Sequence, residues 1–505
     1  SAGAIMLKSG VTLQGEGIGV TEIKVQTGST NSITGIIRTP SAVRTTNAHV
    51  KDLTINGNRN GSGNSGTVIG YYCGVTPSAS ISSITRVTTV ATATCASGDR
   101  PANGSTVYIF KKEDGIIPVE YLGQFTVTAV PLSTTFTFTV TGSPVNVTET
   151  IWFYNTTLQN AQCENLSCER VEIKDCSDYG FDPHEQTVNF NCTDCISHGN
   201  GKDGFVADYL SNGAYTRCIA YSNDRHGFNL TTATHDFSLT DCVSYSNGAV
   251  LSGSGIVVQR GSDNFLWPTN ISIKGGSSYS NTRNGVLLQM AANITVTGTE
   301  LHDNGWSGVR NLGGKACVIN GNIIRDNSQT TTNTYSESFV EQYDDSAGAS
   351  ATIYGALRNS YSNNNANSSL TNKAKYSFEE TDDASNYNVY SDNLVTGAAT
   401  GDYSIASGNL NSIYGYSVKN LRTYLTSHYY YPLSTAGALG TKAMTAGRMY
   451  YVGSFIAENN ITFNRIGIRV TTGTSSGGDT AILGVYTDSG GLPVNLVGTN
   501  SAEVA

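Results

Sequence analysis

The apolar positions of this chain fall into short runs broken by Gly, Asn and Ser, and the runs recur at a steady spacing. Asp178-Tyr179-Gly180-Phe181, Lys202-Asp203-Gly204-Phe205 and Arg225-His226-Gly227-Phe228 repeat one Gly-Phe step 24 and then 23 residues apart. Gly255-Ile256, Gly285-Val286 and Gly308-Val309 carry a Gly-apolar step onward. Runs such as Val188 to Phe190, Ser238 to Leu239, Ile271 to Ile273 and Ile294 to Val296 suit brief strands. A repeat of about 20 to 50 residues marks a solenoid, because each unit buries its apolar face only against its neighbours. The pattern predicts an all-β fold, a right-handed parallel β-helix formed by residues 1–77 and 155–410. Coils end in similar corners: Tyr221-Ser222-Asn223, Tyr245-Ser246-Asn247, Tyr279-Ser280-Asn281, His302-Asp303-Asn304 and Arg325-Asp326-Asn327. The Asn is expected to adopt the left-handed backbone of the corner and to bond to its equivalent one coil on.

Two stretches lose this period. Between 78 and 154 the chain becomes rich in Val, Thr and Phe, and near-strict alternation over runs such as Phe125 to Val130 and Thr134 to Val140 predicts an inserted antiparallel β-domain. After a Tyr/Ser-rich connector at 411–432, the alternation of Phe463 to Val470 predicts a C-terminal β-sandwich over 433–505. That sandwich is expected to be incomplete, and the chain is expected to start inside a coil.

Composition narrows the class. With 55 Gly, 28 Tyr and 14% charged residues, the chain has the profile of a β-rich extracellular protein. A net charge of −9 argues against a nucleic-acid binder, although a local cationic strip can sit on an acidic protein. No apolar run is long enough to predict a membrane span. Cys195, Cys218 and Cys242 share the coil spacing, as do Cys168 and Cys192, so buried thiol columns are expected in place of disulfides.

Stacking coils about 4.8 Å apart converts the repeat into columns. Asp178, Lys202 and Arg225 fall in one column; Tyr179, Asp203 and His226 in the next; His184 falls under Asp208. An acid–base pair, carboxylates and cations thereby share one strip of surface, more than packing alone requires.

The strings Met6-Leu7-Lys8-Ser9-Gly10-Val11, Asp52 to Arg59, Tyr179-Gly180-Phe181-Asp182-Pro183-His184-Glu185, Asp203 to Asp208, Asn223 to Asn229 and Val257 to Gly261 resemble the catalytic module of secreted mannuronan C5-epimerases, a family that includes alginate lyases. The inserted and C-terminal segments resemble bacteriophage tail modules. The resemblance implies a β-1,4-linked uronate substrate, alginate, whose C5 proton is removed next to a carboxylate. Tyr179 and His184 match the family's acid–base pair, and Asp182 and Asp208 match the acids that approach the substrate carboxylate. Arg225, His226, Lys202, Arg38 and Arg260 match groove positions that would bind substrate. No cofactor is required by this chemistry. Asn58 and Asn60 match a family calcium site, but Ile69 replaces an acid there, and groove lysines are replaced by Thr67 and Gln289.

Three functions are therefore weighed. The leading expectation is an alginate lyase acting by β-elimination as a phage tail depolymerase, extracellular or on a virion tail. The alternative is a mannuronan C5-epimerase using the same residues, and the third is a non-catalytic carbohydrate-binding spike. The partner is an anionic polysaccharide, with no nucleic acid and no membrane; a homotrimer or tail-assembly proteins complete the expectations.

Overall fold

The computed structural model describes residues 4–405 except 42, 113–115, 156–161, 262–264, 331–332 and 345–351, together with the strands Ser412–Tyr414, Tyr486–Ser489 and Leu492–Leu496. The Gly-apolar steps become rungs of one parallel sheet of twelve strands, running from Ile5–Met6 through Phe181–Pro183, Phe205–Asp208 and Phe228–Thr231 to Gly401–Ile405. The remaining coil strands, from Thr12–Gln14 to Ser412–Tyr414, close the rest of a parallel β-helix. Register follows the repeat, with Phe181 opposite Phe205 and Phe205 opposite Phe228. These three rings stack in the core at centroid spacings of 4.6 and 4.8 Å, and each is fully buried. The preceding glycines are forced by crowding. A Cβ on Gly180 would lie 2.1 Å from Ser197 Oγ and 2.5 Å from the Gly204 carbonyl oxygen.

The corners differ from expectation in one detail. The left-handed residue is the one before the Asn: Ser222, Ser246, Ser280, Asp303 and Asp326 have φ between 51° and 54°. The Asn itself turns inward. From Asn200 through Asn223, Asn247, Asn281 and Asn304 to Asn327, each Nδ2 donates to the next Oδ1 at 2.9–3.0 Å. The backbone N–H of each of the first five also donates to that oxygen, so one side chain satisfies buried groups on two coils. The ten cysteines are buried and unpaired by disulfides. Cys195, Cys218 and Cys242 aim their thiols at carbonyls of Cys168, Cys192 and Tyr215.

The inserted segment is a seven-stranded antiparallel sheet containing Ala79–Val87, Val90–Cys95, Thr106–Phe110, Gly123–Thr126, Ala129–Leu132, Thr135–Thr139 and Ile151–Asn155. Its alternation feeds two cores. Ile109 and Phe153 pack with Phe136 and Phe138 inside the insert, while Phe110 and Tyr154 join the β-helix core. Strand Ser412–Tyr414 pairs in parallel with Val389–Ser391, so the β-helix continues past the boundary at 410. The expected C-terminal sandwich lies outside the described residues, save for the antiparallel pair Tyr486–Ser489 and Leu492–Leu496.

Candidate active site

The site is assembled on the twelve-stranded sheet and the corner that leads into it. Register places Arg38 beside Tyr72 and Tyr72 beside Asp182, three outward-facing residues on adjacent rungs. Alternation along Phe181–Pro183 sends Phe181 into the core, Asp182 outward, and His184 outward again just past the strand.

His184 is held by three carboxylates. Its Nε2 lies 3.3 Å from Asp182 Oδ1 and 3.5 Å from Asp208 Oδ2, and its Nδ1 lies 3.3 Å from Glu185 Oε2. The Tyr72 ring stacks on the imidazole at 5.4 Å, with the Arg38 guanidinium 5.3 Å from the Tyr72 ring centre. Burial alone would drive His184 toward neutrality, but the Asp182 and Asp208 charges and the bonds to Asp182 and Glu185 raise its pKa well above 6.5. The three carboxylates therefore favour the imidazolium form. Asp182 is raised from the ordinary carboxylate value, by burial first and by the Asp208 and Asp178 charges, with His184 opposing.

A second cluster surrounds Tyr179. The Arg225 guanidinium grips Asp203 through Nε at 2.7 Å and Nη2 at 2.5 Å, and its Nη2 reaches the Tyr179 hydroxyl at 3.5 Å. Lys202 lies 4.7 Å from the Tyr179 ring centre and pairs with Asp178 at 2.7 Å. Burial raises the Tyr179 pKa; Arg225 and Lys202 pull it down, while Asp203 and Asp182 push it up. Asp203 is fully buried and also accepts from the His226 N–H and from Asn229 Nδ2. His226 Nδ1 accepts from the Ser254 N–H at 3.0 Å, which leaves the proton of the neutral ring on Nε2. Burial lowers the His226 pKa, so the ring is a neutral donor.

The expected columns thus meet, with altered partners. Lys202 stays with Asp178, whereas Arg225 leaves its own column to bind Asp203. Arg260 is buried, with its guanidinium 5.4 Å from the Tyr354 ring centre. Asn58 lies apart from both clusters. Its Nδ2 donates to the Val25 carbonyl and to Thr27 Oγ1, Asn60 is exposed, and Arg59 binds Asp224 through both guanidinium nitrogens. The two expected ligands are thus neutral amides, and the neighbouring Asp224 carboxylate is already paired to Arg59. Among the described residues no group of three or more His, Cys, Asp or Glu is arranged to hold a metal.

The sequence placed Asp203 in the column of Tyr179 and His226 without giving it a role, and Tyr72 and Glu185 were missed as site residues. Glu185 lay in plain view beside His184, and the coil register carries Asp203 and Tyr72. A fourth residue, Lys112, left no signal; it comes from the inserted sheet and pairs with Glu185 at 3.4 Å.

Fold and site together define a parallel β-helix module that carries a histidine–carboxylate cluster beside a cation-flanked tyrosine on one sheet. No protein-family model matches the chain. Its structure matches the A-module of mannuronan C5-epimerase AlgE4 of Azotobacter vinelandii with a TM-score of 0.61 and 33% identity, covering 82% of this chain and 88% of that one. Mannuronan C5-epimerase AlgE3 of the same organism is 34% identical over 399 residues, 79% of this chain. Alginate lyase 7 of that organism is 32% identical over 409 residues, 81% of this chain. The chain belongs to the family of these epimerase A-modules. It spans only 17% of the length of AlgE3 and 37% of that of alginate lyase 7. A tailspike protein of bacteriophage CBA120 matches at a TM-score of 0.42 and 10% identity, too distant to carry an argument, so the virion-tail expectation has no support.

Proposed function

We propose that this module acts on alginate as a mannuronan C5-epimerase, which reverses the order of the expectations drawn from the sequence. The observation that carries the reading is His184 set between Asp182 and Asp208, with Tyr179, whose hydroxyl faces Arg225, on the corner that leads into the same strand. The family relationship supports the substrate, and most of the relatives it matches are named as epimerases.

The chemistry follows from charge. Taking a proton from C5 sends an electron pair into the neighbouring carboxylate, which resists becoming a dianion until its charge is neutralised. Asp182, its proton affinity raised by burial, shares a proton with that carboxylate once the substrate anion lies beside it. Tyr179 accepts the C5 proton as the base; burial raises its pKa overall, and Arg225 and Lys202 partly offset that rise. His184 Nε2–H then delivers a proton to the opposite face of C5, giving guluronate. The proton left on Tyr179 returns to His184 through solvent, so the cycle closes with no net proton change.

One observation favours a second reading: alginate lyase 7 is as similar as several of the epimerases. In β-elimination the same C5 electron pair expels O4, and Tyr179 passes its proton to that oxygen. The branch depends on whether His184 reprotonates C5 before the O4 bond breaks. Polymannuronate followed by proton NMR and by ultraviolet absorbance separates the outcomes. Growing guluronate signals without unsaturated ends support the epimerase. Unsaturated ends with shortening chains would make it a lyase, and no change in either signal would leave only a binding role.

A further inference from the structure

The inserted sheet meets the site through one loop. Strand Thr106–Phe110 runs into Lys111 and Lys112, and both are bound to the β-helix. The Tyr209 hydroxyl donates to the Lys111 carbonyl at 2.5 Å, and the Leu266 N–H donates to the Lys112 carbonyl at 3.0 Å. Tyr209 also accepts from Gln186 Nε2 at 3.1 Å, next along the chain from Glu185. Around the Lys112 ammonium stand Trp152 of the insert and Phe265 of the β-helix, with ring centres 5.7 and 5.1 Å away. The ammonium is 3.4 Å from Glu185 Oε1, while the other oxygen of that carboxylate faces His184 Nδ1 at 3.3 Å.

We propose that Lys112 is a positioning residue delivered by the inserted sheet, and that it acts through Glu185 to fix the orientation of His184. The chain of contacts runs Lys112 to Glu185 to His184, and it ends with Nε2 aimed between Asp182 and Asp208. Lys112 and Glu185 side chains are only 13% and 10% exposed, so the ammonium is poorly placed to meet a polymer directly. A buried carboxylate with a cation on one oxygen and an imidazolium on the other has little freedom to rotate. Without the cation, Glu185 is free to turn away and the imidazole loses its rear support. The insert therefore completes the active site, and an inserted sheet with its own core becomes part of the acid–base machinery. The inference rests on His184 acting as the acid described above.

The charged and titratable groups around Glu185 define the expected sign. Burial raises its pKa, His184 and Lys112 bring it below the ordinary value of 4.5, and the phenols of Tyr72 and Tyr154 also feel its charge. Removing the Lys112 charge must move the Glu185 midpoint upward. Lys112→Met keeps the length of the stem over Trp152 and Phe265 and removes only the charge.

Two readouts test this in the full chain. In alginate turnover, K112M is expected to lower kcat roughly 10-fold or more, as for a misplaced catalytic group, with KM nearly unchanged. The acid limb of its pH profile should shift upward, Lys112→Arg should restore it, and K112M/E185Q should be no slower than E185Q alone. In carbon NMR of glutamate-labelled protein, the Glu185 carboxyl, assigned by its disappearance in E185Q, should titrate at higher pH in K112M than in wild type. An unchanged Glu185 midpoint overturns the inference, and so does a raised KM with kcat preserved, which would make Lys112 a substrate contact. If wild type turns over no alginate, the proposed function fails, while the carboxyl titration still decides the role of Lys112.

Discussion

Two sets of buried acids sit on the same sheet of the same β-helix, and they are treated in opposite ways. Downstream, Glu337, Glu379 and Glu380 are at most 3% exposed, and all three have hydrogen-bond partners. Glu337 accepts from Ser368 Oγ and Asn327 Nδ2 at 2.6 Å each, so it caps the asparagine ladder. Glu379 is held by Ser336 and Lys375, and Glu380 by Asn388 and Tyr390. At the candidate site, Asp182 Oδ1, Asp208 Oδ1, Glu185 Oε2 and His184 Nδ1 are buried with no hydrogen bond of good geometry. These atoms are tied to one another only as ion pairs at 3.3–3.5 Å around His184, so their hydrogen-bonding capacity is incompletely used. The downstream acids serve the scaffold; the upstream ones keep hydrogen-bonding capacity open for a ligand.

This contrast predicts that the two sets separate activity from stability. The largest effect is expected at the site. Tyr179→Phe and His184→Gln should each lower turnover ~10²–10⁴-fold, the range for removing a general acid or base. Their melting temperatures should stay close to wild type. Full activity in either variant would remove that residue from the mechanism, and a collapse in melting temperature would erase the contrast.

The ladder should behave the other way. Asn247→Ala leaves the buried Asn223 N–H and Nδ2 without their acceptor, at a cost of about 1–3 kcal/mol each. Chemical denaturation should register the loss, while kcat on alginate, measured well below the transition, should be preserved.

Next comes the pH dependence of turnover. Because the carboxylates hold the His184 pKa well above 6.5, the imidazolium persists through neutral pH and is lost only on the alkaline side. Turnover that needs its proton should fall on an alkaline limb. An activity that instead rose as pH passed upward through 6.5 would mean that neutral His184 is the working form, as a base.

The smallest effect concerns Glu337, whose pKa burial lifts from 4.5 to about 7. A raised acid favours folding at low pH, and that advantage is lost as pH climbs from 4.5 through about 7. At one pKa unit per 1.36 kcal/mol, the upper bound is about 3 kcal/mol. Glu337→Gln should flatten the decline in stability across that window. An unchanged pH profile of the melting temperature would show that Glu337 is ionised without penalty.

Much of this was legible in the chain because a solenoid converts sequence spacing into spatial neighbourhood. Gly180, Gly204 and Gly227 gave the rung spacing, and the spacing put Phe181, Phe205 and Phe228 in one stack and His184 under Asp208. The asparagine corners were also visible, although the left-handed residue proved to be Ser222 or its equivalent. There the Asn side chain has to face inward to collect two coils' donors. Glu185 and Asp203 could be read as neighbours, but their roles could not, since a carboxylate's function depends on which cation reaches it.

By itself, then, the sequence determined what repeats: the parallel β-helix, the insert as a separate antiparallel unit, and the strip where Tyr179, Asp182, His184 and Asp208 converge. Tertiary structure decided what does not repeat. Arg225 abandons its column for Asp203 because a guanidinium fork gains two charge-assisted bonds to a fully buried carboxylate. Lys112 arrives at Glu185 from 73 residues away in the chain, carried by a sheet with its own core. Period and register set only contacts between successive coils, and a loop docking from outside the repeat obeys neither.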